Sequence, residues 1–481
     1  MAKRNILPPF SENLIIERLR FENPWWVTNA TDEEYRGLKY RQYFHLFHPL
    51  VEETEVRRAV VLMGPRRVGK TVMLFHTIQH LIDSGVSPLN ILYANIENPI
   101  YNHIPLERLF QLARRATGRE TPENWFVFFD EIQYLKDWEI HLKVLVDSYP
   151  RNKFTVSGSA AAALKLKSTE SGAGRLTDFL LPPLTFHEYV FLKGLDHLMQ
   201  PAEMEWKGNL YRFFSTINVK ELNLHFIDYI NFGGYPEVIF SDRIRSNPGR
   251  YIRSDIVDKV LLRDLPSLYG IQDVQELNRL FSTLAYHSGN EVSLDALSKA
   301  SQVEKYLLRK YLEYLEAAFL IRIVNRVDDN ARRFKRANFF KVYLTNPSLR
   351  SALFSPLQAT DEHIGNMVET AIFAQWMHRE WFIPWYARWN NGEVDMVSID
   401  DKKLKPQWAL EIKWSNRFFD APGDLKGLLQ FCQRNELPSA IVTTIDKEGK
   451  ETYNGITLHF VPAAVYAYVV AINTLEHKYG R

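Results

Sequence analysis

Cysteine is nearly absent from this sequence, because Cys432 is the single one among 481 residues. One cysteine excludes an intrachain disulfide and a zinc site built from several thiolates. Long apolar runs are missing as well, so we expect no transmembrane helix. The first residues lack the apolar core of a secretory signal. Together these absences predict a cytoplasmic protein with no membrane partner.

A strong excess of charge is also absent. The formal net charge of +2 does not by itself indicate a nucleic-acid partner. Positive charge is concentrated locally, in a segment whose basic and aromatic residues are Arg332, Arg333, Phe334, Lys335, Arg336, Phe339 and Phe340. This segment suits contact with phosphates. The alternative is a solvated face or a seam between domains.

The length and the order of apolar segments indicate two to four domains. Residues 1–55 form an aromatic lead-in, and its Asn23-Pro24-Trp25-Trp26 stretch suggests docking. From Arg58 onward, short apolar segments at 59–63, 91–96, 125–129 and 154–156 alternate with helical stretches. This alternation predicts a parallel sheet covered by helices on both faces.

A glycine-rich loop lies between the first predicted strand and a helix. Its glycines let backbone amides surround phosphate oxygens, and the helix N-terminus adds positive potential. Lys70 is predicted to contact the β and γ phosphates, and the Thr71 hydroxyl to bind magnesium. ATP and Mg²⁺ are therefore the expected cofactors. The predicted nucleotide-binding residues of this loop are Gly64, Pro65, Arg66, Arg67, Val68, Gly69, Lys70, Thr71 and Val72.

Acidic residues follow the predicted strand 125–129. Asp130 is expected to hold magnesium through water, and Glu131 to orient and polarise the attacking water. Ser157 or Ser159, at the end of the next strand, is a candidate sensor of the γ-phosphate; the alternative is a serine-rich turn. Arg175 is a candidate arginine finger, acting in cis or on a neighbouring subunit, or else a surface or ion-paired arginine. Action on a neighbouring subunit would require self-association into a dimer or ring.

The central part of the chain has a different pattern. Residues 186–268 are predicted to be mostly helical, with a turn at 232–236. Residues 271–328 read as helices followed by a short apolar strand, which fits a winged helix. Such a module would grip DNA through a helix near 304–316. That helix mixes acidic and basic residues, so packing between domains is the alternative.

The C-terminal part combines a helix at 368–379 with strands at 381–389, 393–397 and 408–413. Asn391-Gly392 is a strong hairpin signal between the first two strands. Because side chains alternate along a strand, Glu411 and Lys413 share one face. A helix at 422–435 and a strand at 440–444 follow.

These motifs, in this order, resemble those of AAA+ P-loop ATPases. The stretches 181–189, reading LPPLTFHEY, and 232–237, reading FGGYPE, resemble a prokaryotic family of such ATPases. Its members carry a C-terminal domain of unknown function related to restriction-type nucleases. The C-terminal segments are similar to the PD-(D/E)XK nuclease core.

The nuclease resemblance implies specific roles for C-terminal residues. It implies that Glu369, Asp395 and Glu411 hold magnesium, which lowers the pKa of an attacking water. Asp395, Glu411 and Lys413 would then be catalytic, with Lys413 positioning the water or the oxyanion. Glu-x-Lys is a short pattern, however, and alternating charge occurs on any solvated strand. An inert nuclease-like fold is the alternative.

The sequence thus predicts an α/β protein with five parts. These are an N-terminal extension at 1–55, an AAA+ P-loop core at 56–190, a helical lid at 191–268, a winged helix at 269–330 and a restriction-endonuclease-like domain at 331–481. The predicted function is ATP hydrolysis coupled to DNA binding or metal-dependent DNA cleavage. The alternative is a nucleotide-controlled switch whose nuclease-like domain only binds a partner.

Overall fold

The computed structural model describes residues 10–119, 121–158, 174–332, 338–379, 382–400 and 402–478. It divides the chain into two compact units, Met1–Leu181 and Pro182–Arg481. Within the described ranges, no helix combines the length and the apolar character needed to cross a membrane.

A five-stranded parallel sheet forms the core of the first unit. Its strands are β1 Ala59–Met63, β2 Ile91–Asn95, β3 Phe126–Asp130, β4 Lys153–Gly158 and β5 Leu176–Leu180. The strand order is β2-β3-β4-β1-β5. All five residues of β1 are buried, as expected for a strand covered on both faces. The predicted parallel α/β sheet is confirmed. Strand β5 was not predicted, because this edge strand is only half-buried and lacks an apolar run.

The helices of the first unit cover this sheet. They are α1 Glu12–Glu22, α2 Trp25–Thr28, α3 Glu33–Arg36, α4 Phe44–Glu52, α5 Lys70–Asp83, α6 Leu106–Thr117 and α7 Trp138–Ser148. The N-terminal extension also pairs with the edge strand β2. The indoles of Trp25 and Trp26 donate to the Ile91 carbonyl at 3.1 and 2.8 Å, and the Asn23 side chain bonds both backbone groups of Tyr93. These side chains satisfy backbone groups that an open sheet edge would leave unpaired.

The second unit begins with helices and a hairpin. Its helices are Phe186–Leu192, Val219–Phe232, Pro236–Phe240, Asp242–Arg245, Leu265–Tyr269, Val274–Tyr286, Leu294–Ser301, Lys305–Ala317, Ser348–Leu353, Ile364–Trp376, Arg417–Asp420, Lys426–Arg434 and Ala463–Lys478, with π-helical turns at Gly249–Asp258 and Val260–Asp264.

The prediction that residues 186–268 are mostly helical is wrong over 199–216. Strands β6 Met199–Trp206 and β7 Asn209–Thr216 pair there as an antiparallel hairpin. Both turn residues, Lys207 and Gly208, have positive φ, at 51° and 78°. Positive φ at both central positions is the geometry of a two-residue hairpin turn. The alternating exposure of β6 is the period-two signal that the helical reading missed.

A nine-stranded sheet dominates the second unit. Its strands are β8 Glu291–Ser293, β9 Ile321–Val327, β10 Phe339–Leu344, β11 Trp385–Trp389, β12 Gly392–Ile399, β13 Pro406–Glu411, β14 Ser439–Thr444, β15 Gly449–Tyr453 and β16 Ile456–Pro462. The order is β15-β16-β14-β13-β12-β11-β9-β10-β8. Parallel pairing of β9 with β11 links β8, β9 and β10 to the remaining six strands. The sheet therefore continues across the domain boundary predicted at 330/331.

Both faces of this sheet are covered near its centre. Helices Ile364–Trp376 and Ala463–Lys478 share one apolar core with Met396 and Leu410. Helix Lys426–Arg434 packs on the other face, against Val397 and Ala409. The hairpin predicted from Asn391-Gly392 does connect β11 with β12, but its turn is one residue earlier: Trp389 pairs with Gly392, so Asn390 and Asn391 are the turn residues. Of the predicted basic segment, residues 333–337 lie outside the described part; Phe340 is buried and Phe339 is exposed.

Candidate functional site

The glycine-rich loop joins β1 to α5, as its sequence predicts. A Cβ atom at Gly64 would lie 2.1 Å from the Leu181 carbonyl oxygen, so only glycine fits there. Gly69 takes a positive φ of 92° at the N-cap of α5, a conformation that favours glycine. The loop therefore ends at the N-terminus of a 14-residue helix, where free amides and the helix dipole attract anions.

Lys70, the first residue of α5, is buried within this loop. Its ammonium donates to the Gly64 carbonyl at 3.0 Å and to the Pro65 carbonyl at 2.8 Å. The Arg41 guanidinium donates to the Val68 carbonyl at 2.9 Å from the N-terminal extension. The loop is thus held in shape by two cations, one of which is the predicted phosphate ligand. Val72 follows on the first turn of α5, where it is half-buried.

Asp130 lies at the C-terminal end of β3 and is almost fully buried. Thr71 Oγ1 donates to its carboxylate at 2.7 Å, and the Ser157 hydroxyl donates to its other oxygen. The Glu131 amide also donates to Asp130, at 3.1 Å. The tertiary structure therefore brings together Thr71, Asp130 and Ser157, three residues that the sequence proposed separately. Ser159 lies outside the described residues.

Tyr93 is a member of this site that sequence reasoning missed. Its hydroxyl donates to Asp130 Oδ2 at 2.9 Å from the neighbouring strand β2. Burial, and then the adjacent Asp130 carboxylate, hold the pKa of Tyr93 well above its ordinary value. The tyrosine therefore stays a hydrogen-bond donor at all physiological pH values. A polar ring inside an otherwise apolar strand was the available signal.

Glu131 follows Asp130 in a left-handed conformation with a φ of 53°. A non-glycine residue in this region costs energy and is retained where the surroundings impose it. The Gln133 amide donates to the Glu131 carboxylate, which orients the predicted water-activating base. Arg66, on the loop, lies 3.4 Å from the Tyr134 hydroxyl.

Arg175 is not brought to the loop. Its carbonyl accepts from Ala59 at the start of β1, whereas the loop follows the end of β1. Because β1 and β5 run in the same direction, Arg175 lies beside the start of β1, at the end of the strands opposite the glycine-rich loop. Its guanidinium pairs with Asp147 at 2.6 Å. This position does not support the predicted role in cis.

A second polar cluster is buried in the second unit, around the centre of the nine-stranded sheet. Lys413 pairs with Glu411 at 2.7 Å and with Asp395 at 3.1 Å. The Ile412 amide donates to Asp395 at 2.8 Å. The predicted Asp395, Glu411 and Lys413 therefore meet, because β12 and β13 are neighbouring antiparallel strands.

Glu369 joins this cluster through Lys341, a residue that sequence reasoning missed. The Lys341 ammonium lies 2.9 Å from Glu369, 2.8 Å from Glu393 and 3.8 Å from Asp395. Tyr343, also on β10, donates to Glu369 at 2.6 Å. No sequence motif pointed to Lys341, because β10 reaches the cluster only through the pairing of distant strands.

Burial and charge set the protonation of the cluster. Burial alone would raise the pKa of Asp395, but Lys413 and Lys341 outweigh it and lower that pKa. Burial, and then the Asp395 charge, raise the pKa of Glu411 to about 7. Burial likewise raises the pKa of Glu369, although Lys341 opposes it. Asp395 is therefore the most strongly ionised of the three.

The donor set fits a hard divalent cation in part. Carboxylate oxygens are its preferred ligands, and Glu411 Oε2 is buried without a hydrogen-bond partner in the described structure. Within the same residues, however, Glu369, Asp395 and Glu411 do not bring three ligand atoms within 4.8 Å of one another. Lys341 bridges Glu369 and Asp395 instead.

The first unit is thus a P-loop domain in sheet order, loop geometry and placement of Asp130. Comparison with known families agrees. Residues 56–190 match the family described as an AAA domain, so the AAA-type P-loop fold predicted for this region is confirmed. Residues 223–361 match a domain of unknown function, DUF8612, and that match ends before Glu369, Asp395 and Glu411.

Similar chains occur in archaea and bacteria. An uncharacterized protein of Methanocaldococcus jannaschii, MJ1544, is 26% identical over 367 residues, which cover 74% of this chain and 76% of the relative. An uncharacterized protein of Haemophilus influenzae is 25% identical over 358 residues, covering 73% and 82%. Among solved structures, the Aeropyrum pernix ORC2 protein in its ADPNP-ADP complexes is 13% identical, with a TM-score of 0.36 over 73% of this chain and 95% of that one.

Proposed function

We propose that the first unit binds and hydrolyses ATP with Mg²⁺. The observation that carries this proposal is the 2.7 Å hydrogen bond between Thr71 and Asp130, which joins the two halves of the site. A hydroxyl and a carboxylate so placed are suited to hold one magnesium ion, which would neutralise charge on the phosphates. Lys70 would exchange its loop carbonyls for phosphate oxygens, and Glu131 would orient the attacking water.

Steady-state ATP hydrolysis by the full-length protein tests this proposal. Lys70→Ala should weaken ATP binding, whereas Glu131→Gln should keep ATP binding and lose about 100-fold or more in rate. Asp137→Asn, an exposed acid of the same unit, is the matched control and should behave as wild type. Equal hydrolysis by wild type and Glu131→Gln would refute the proposed role of Glu131. No ATP binding by the wild type would refute the whole proposal.

For the second unit we infer a metal-dependent nuclease-like site that acts on DNA. Support comes from the meeting of Asp395 on β12 with Glu411 at the end of β13 and Lys413 two residues beyond it. Glu369 lies on a flanking helix. Asp395, Glu411 and Glu369 would hold Mg²⁺, which would supply an activated water and stabilise charge on phosphate. Lys413 would orient that water.

A winged helix beside this site would supply DNA contacts. Support comes from the order helix, strand, two helices and two strands over 274–344, with β8, β10 and β9 paired next to one another at one end of the nine-stranded sheet. The second of the two successive helices, Lys305–Ala317, exposes Lys305, Tyr306 and Arg309. We further propose that the helices within 191–268 act as a nucleotide-site lid. In this proposal ATP hydrolysis controls the processing of DNA. Copies of the chain would associate into a dimer or ring.

Cleavage of plasmid and single-stranded DNA with Mg²⁺ or Mn²⁺, with and without ATP, tests the nuclease proposal. Asp395→Asn should abolish cleavage. Asp400→Asn, just after the end of the same strand, should not, since asparagine keeps the turn hydrogen bonds of Asp400. Cleavage that persists in Asp395→Asn would refute the proposed site.

One observation favours a second candidate, a nucleotide-controlled switch with an inert C-terminal module. Lys341 contacts three carboxylates and so supplies the positive charge that a metal would otherwise bring. Under this alternative, neither Mg²⁺ nor Mn²⁺ supports cleavage, while DNA or a protein still binds. DNA binding without cleavage at either metal would favour the switch.

A further inference from the structure

Three metal-ligating side chains converge in the first unit, away from the glycine-rich loop. His48 and Glu52 lie one turn apart on α4, and His80 lies near the end of α5. His80 Nε2 is 3.2 Å from Glu52 Oε1, and His48 Nε2 is 3.8 Å from Glu52 Oε2. One ligand atom from each of the three residues lies within 4.8 Å of the other two.

The orientation of His48 is fixed in a way that suits metal binding. Its Nδ1 lies 3.0 Å from the Phe44 carbonyl, which can only accept, so Nδ1 carries the proton. When the ring is neutral, Nε2 presents its lone pair towards Glu52 and His80. A histidine that ligates a metal commonly donates its other ring nitrogen to a backbone carbonyl in this manner.

Aromatic packing holds both imidazoles in place. The His48 ring stacks on Phe44 at 4.7 Å, and the His80 ring meets Phe44 edge-on at 5.7 Å. The two imidazoles contact each other at 4.6 Å between ring centroids. Half-buried rings and a partly exposed carboxylate leave the site reachable from solvent.

We propose that His48, Glu52 and His80 bind a first-row transition metal of the zinc type. Two imidazoles and a carboxylate are a known zinc donor set, with water as the fourth ligand. Tetrahedral bonds of about 2.0–2.2 Å place ligand atoms roughly 3.3–3.6 Å apart, so small side-chain rotations close the observed arrangement. Mg²⁺ prefers oxygen ligands and is not the expected occupant.

The bound metal would join the N-terminal extension to the helix that follows the phosphate loop. His80 is ten residues beyond Lys70 on the same helix, a distance of about 15 Å, so the ion does not touch the nucleotide. It acts instead as a cross-link that holds α4 on α5. This site is independent of the ATPase and nuclease proposals.

Titration of the full-length protein with Co²⁺ and Zn²⁺ in excess Mg²⁺ tests the proposal, because Mg²⁺ keeps oxygen-only sites occupied. We expect one equivalent bound with visible ligand-field absorption for Co²⁺, and a rise in Tm on adding Zn²⁺. His48→Ala and His80→Ala should each weaken binding at least about tenfold. Glu52→Gln, which conserves shape, should do the same and guards against loss of folding.

The control is His45→Ala, an exposed histidine of the same helix. It should bind Co²⁺ like the wild type. Unchanged Co²⁺ binding and Tm response in both His80→Ala and Glu52→Gln, or no metal bound by the wild type in excess Mg²⁺, would overturn the site.

Discussion

The two units stabilise buried carboxylates by different means. In the first, Asp130 accepts from the hydroxyls of Thr71, Tyr93 and Ser157 and from one backbone amide. In the second, lysine ammonium groups pair with Asp395 and Glu369. Neutral donors stabilise a carboxylate without cancelling its charge, whereas ammonium groups do cancel it.

This difference bears on how each site would receive a cation. The charge on Asp130 remains available to a divalent ion. In the second unit, four carboxylates face the two ammonium groups of Lys341 and Lys413, so two negative charges remain when all six groups are ionised. These two remaining negative charges match the charge of a divalent ion, but the ion must compete with the Lys341 ammonium for the carboxylate oxygens.

The largest expected effect comes from replacing Asp130, and the same change at Asp395 tests whether ATP hydrolysis depends on the first unit alone. Asp130→Asn should lower ATP hydrolysis by about 100- to 1000-fold, because magnesium loses its charged ligand. Asp395→Asn should leave DNA-free ATP hydrolysis within about twofold of wild type. The measurement is the steady-state rate at saturating Mg²⁺-ATP. A large loss of basal hydrolysis in Asp395→Asn would break the separation of the two sites.

Acid stability should distinguish the units through their buried histidines. His76 in the first unit contacts the Tyr35 carbonyl at 2.9 Å, whereas Nδ1 of His187 in the second has no hydrogen-bond partner in the described structure. Burial lowers the pKa of His187 from 6.5 to about 4. A lowered folded-state pKa gives stability that is present above about pH 6.5 and is lost as the pH falls towards 4.

We therefore expect the second unit to lose about 2 kcal/mol in free energy of unfolding between pH 7 and pH 5 through His187 alone. His187→Gln should lack this part of the pH dependence. Urea unfolding at both pH values, followed by fluorescence, measures the difference. His197→Gln, an exposed histidine of the same unit, should keep the wild-type slope. Equal slopes for His187→Gln and wild type would show that His187 does not carry the effect.

Lys341→Met should sharpen the contrast in charge. Without this ammonium, the cluster gains one negative charge, and its affinity for Mn²⁺ should rise by about tenfold. Lys341→Arg keeps the charge and should bind Mn²⁺ like the wild type. Calorimetric titration in a background that carries both Asp130→Asn and His80→Ala removes the two metal sites proposed for the first unit and so isolates the second. Lower Mn²⁺ affinity in Lys341→Met than in wild type would mean that Lys341 organises the site and does not compete with the ion.

The smallest effect is expected for Tyr93→Phe. This variant removes one of four donors to Asp130 while keeping the buried ring. A loss of about 1 kcal/mol corresponds to roughly a fivefold change in Mg²⁺-ATP affinity. Fluorescence titration with a labelled ATP analogue measures it. Tyr134→Phe, whose hydroxyl is 3.4 Å from Arg66, is the comparison variant.

The sequence by itself determined the first site almost completely. The loop from Gly64 to Thr71 is contiguous, and its chemistry depends on local backbone conformation, so the residue types reveal it. Strand β3 and its terminal Asp130 were equally predictable, because a parallel strand that is buried along nearly its whole length leaves an unbroken apolar run. Strand β5, at the edge and half-buried, leaves no such run and was missed.

Only the tertiary structure decided which distant residues meet. Lys341 reaches Glu369 and Asp395 because β10 and β9 continue the sheet of β11 and β12, a pairing between segments that no local pattern records. In the same way, Tyr93 reaches Asp130 because β2 and β3 are neighbours. Arg175 lies at the end of the strands opposite the loop because β5 runs parallel to β1. Local chemistry is encoded by neighbouring residues, whereas strand order and direction follow from burying all the apolar faces together.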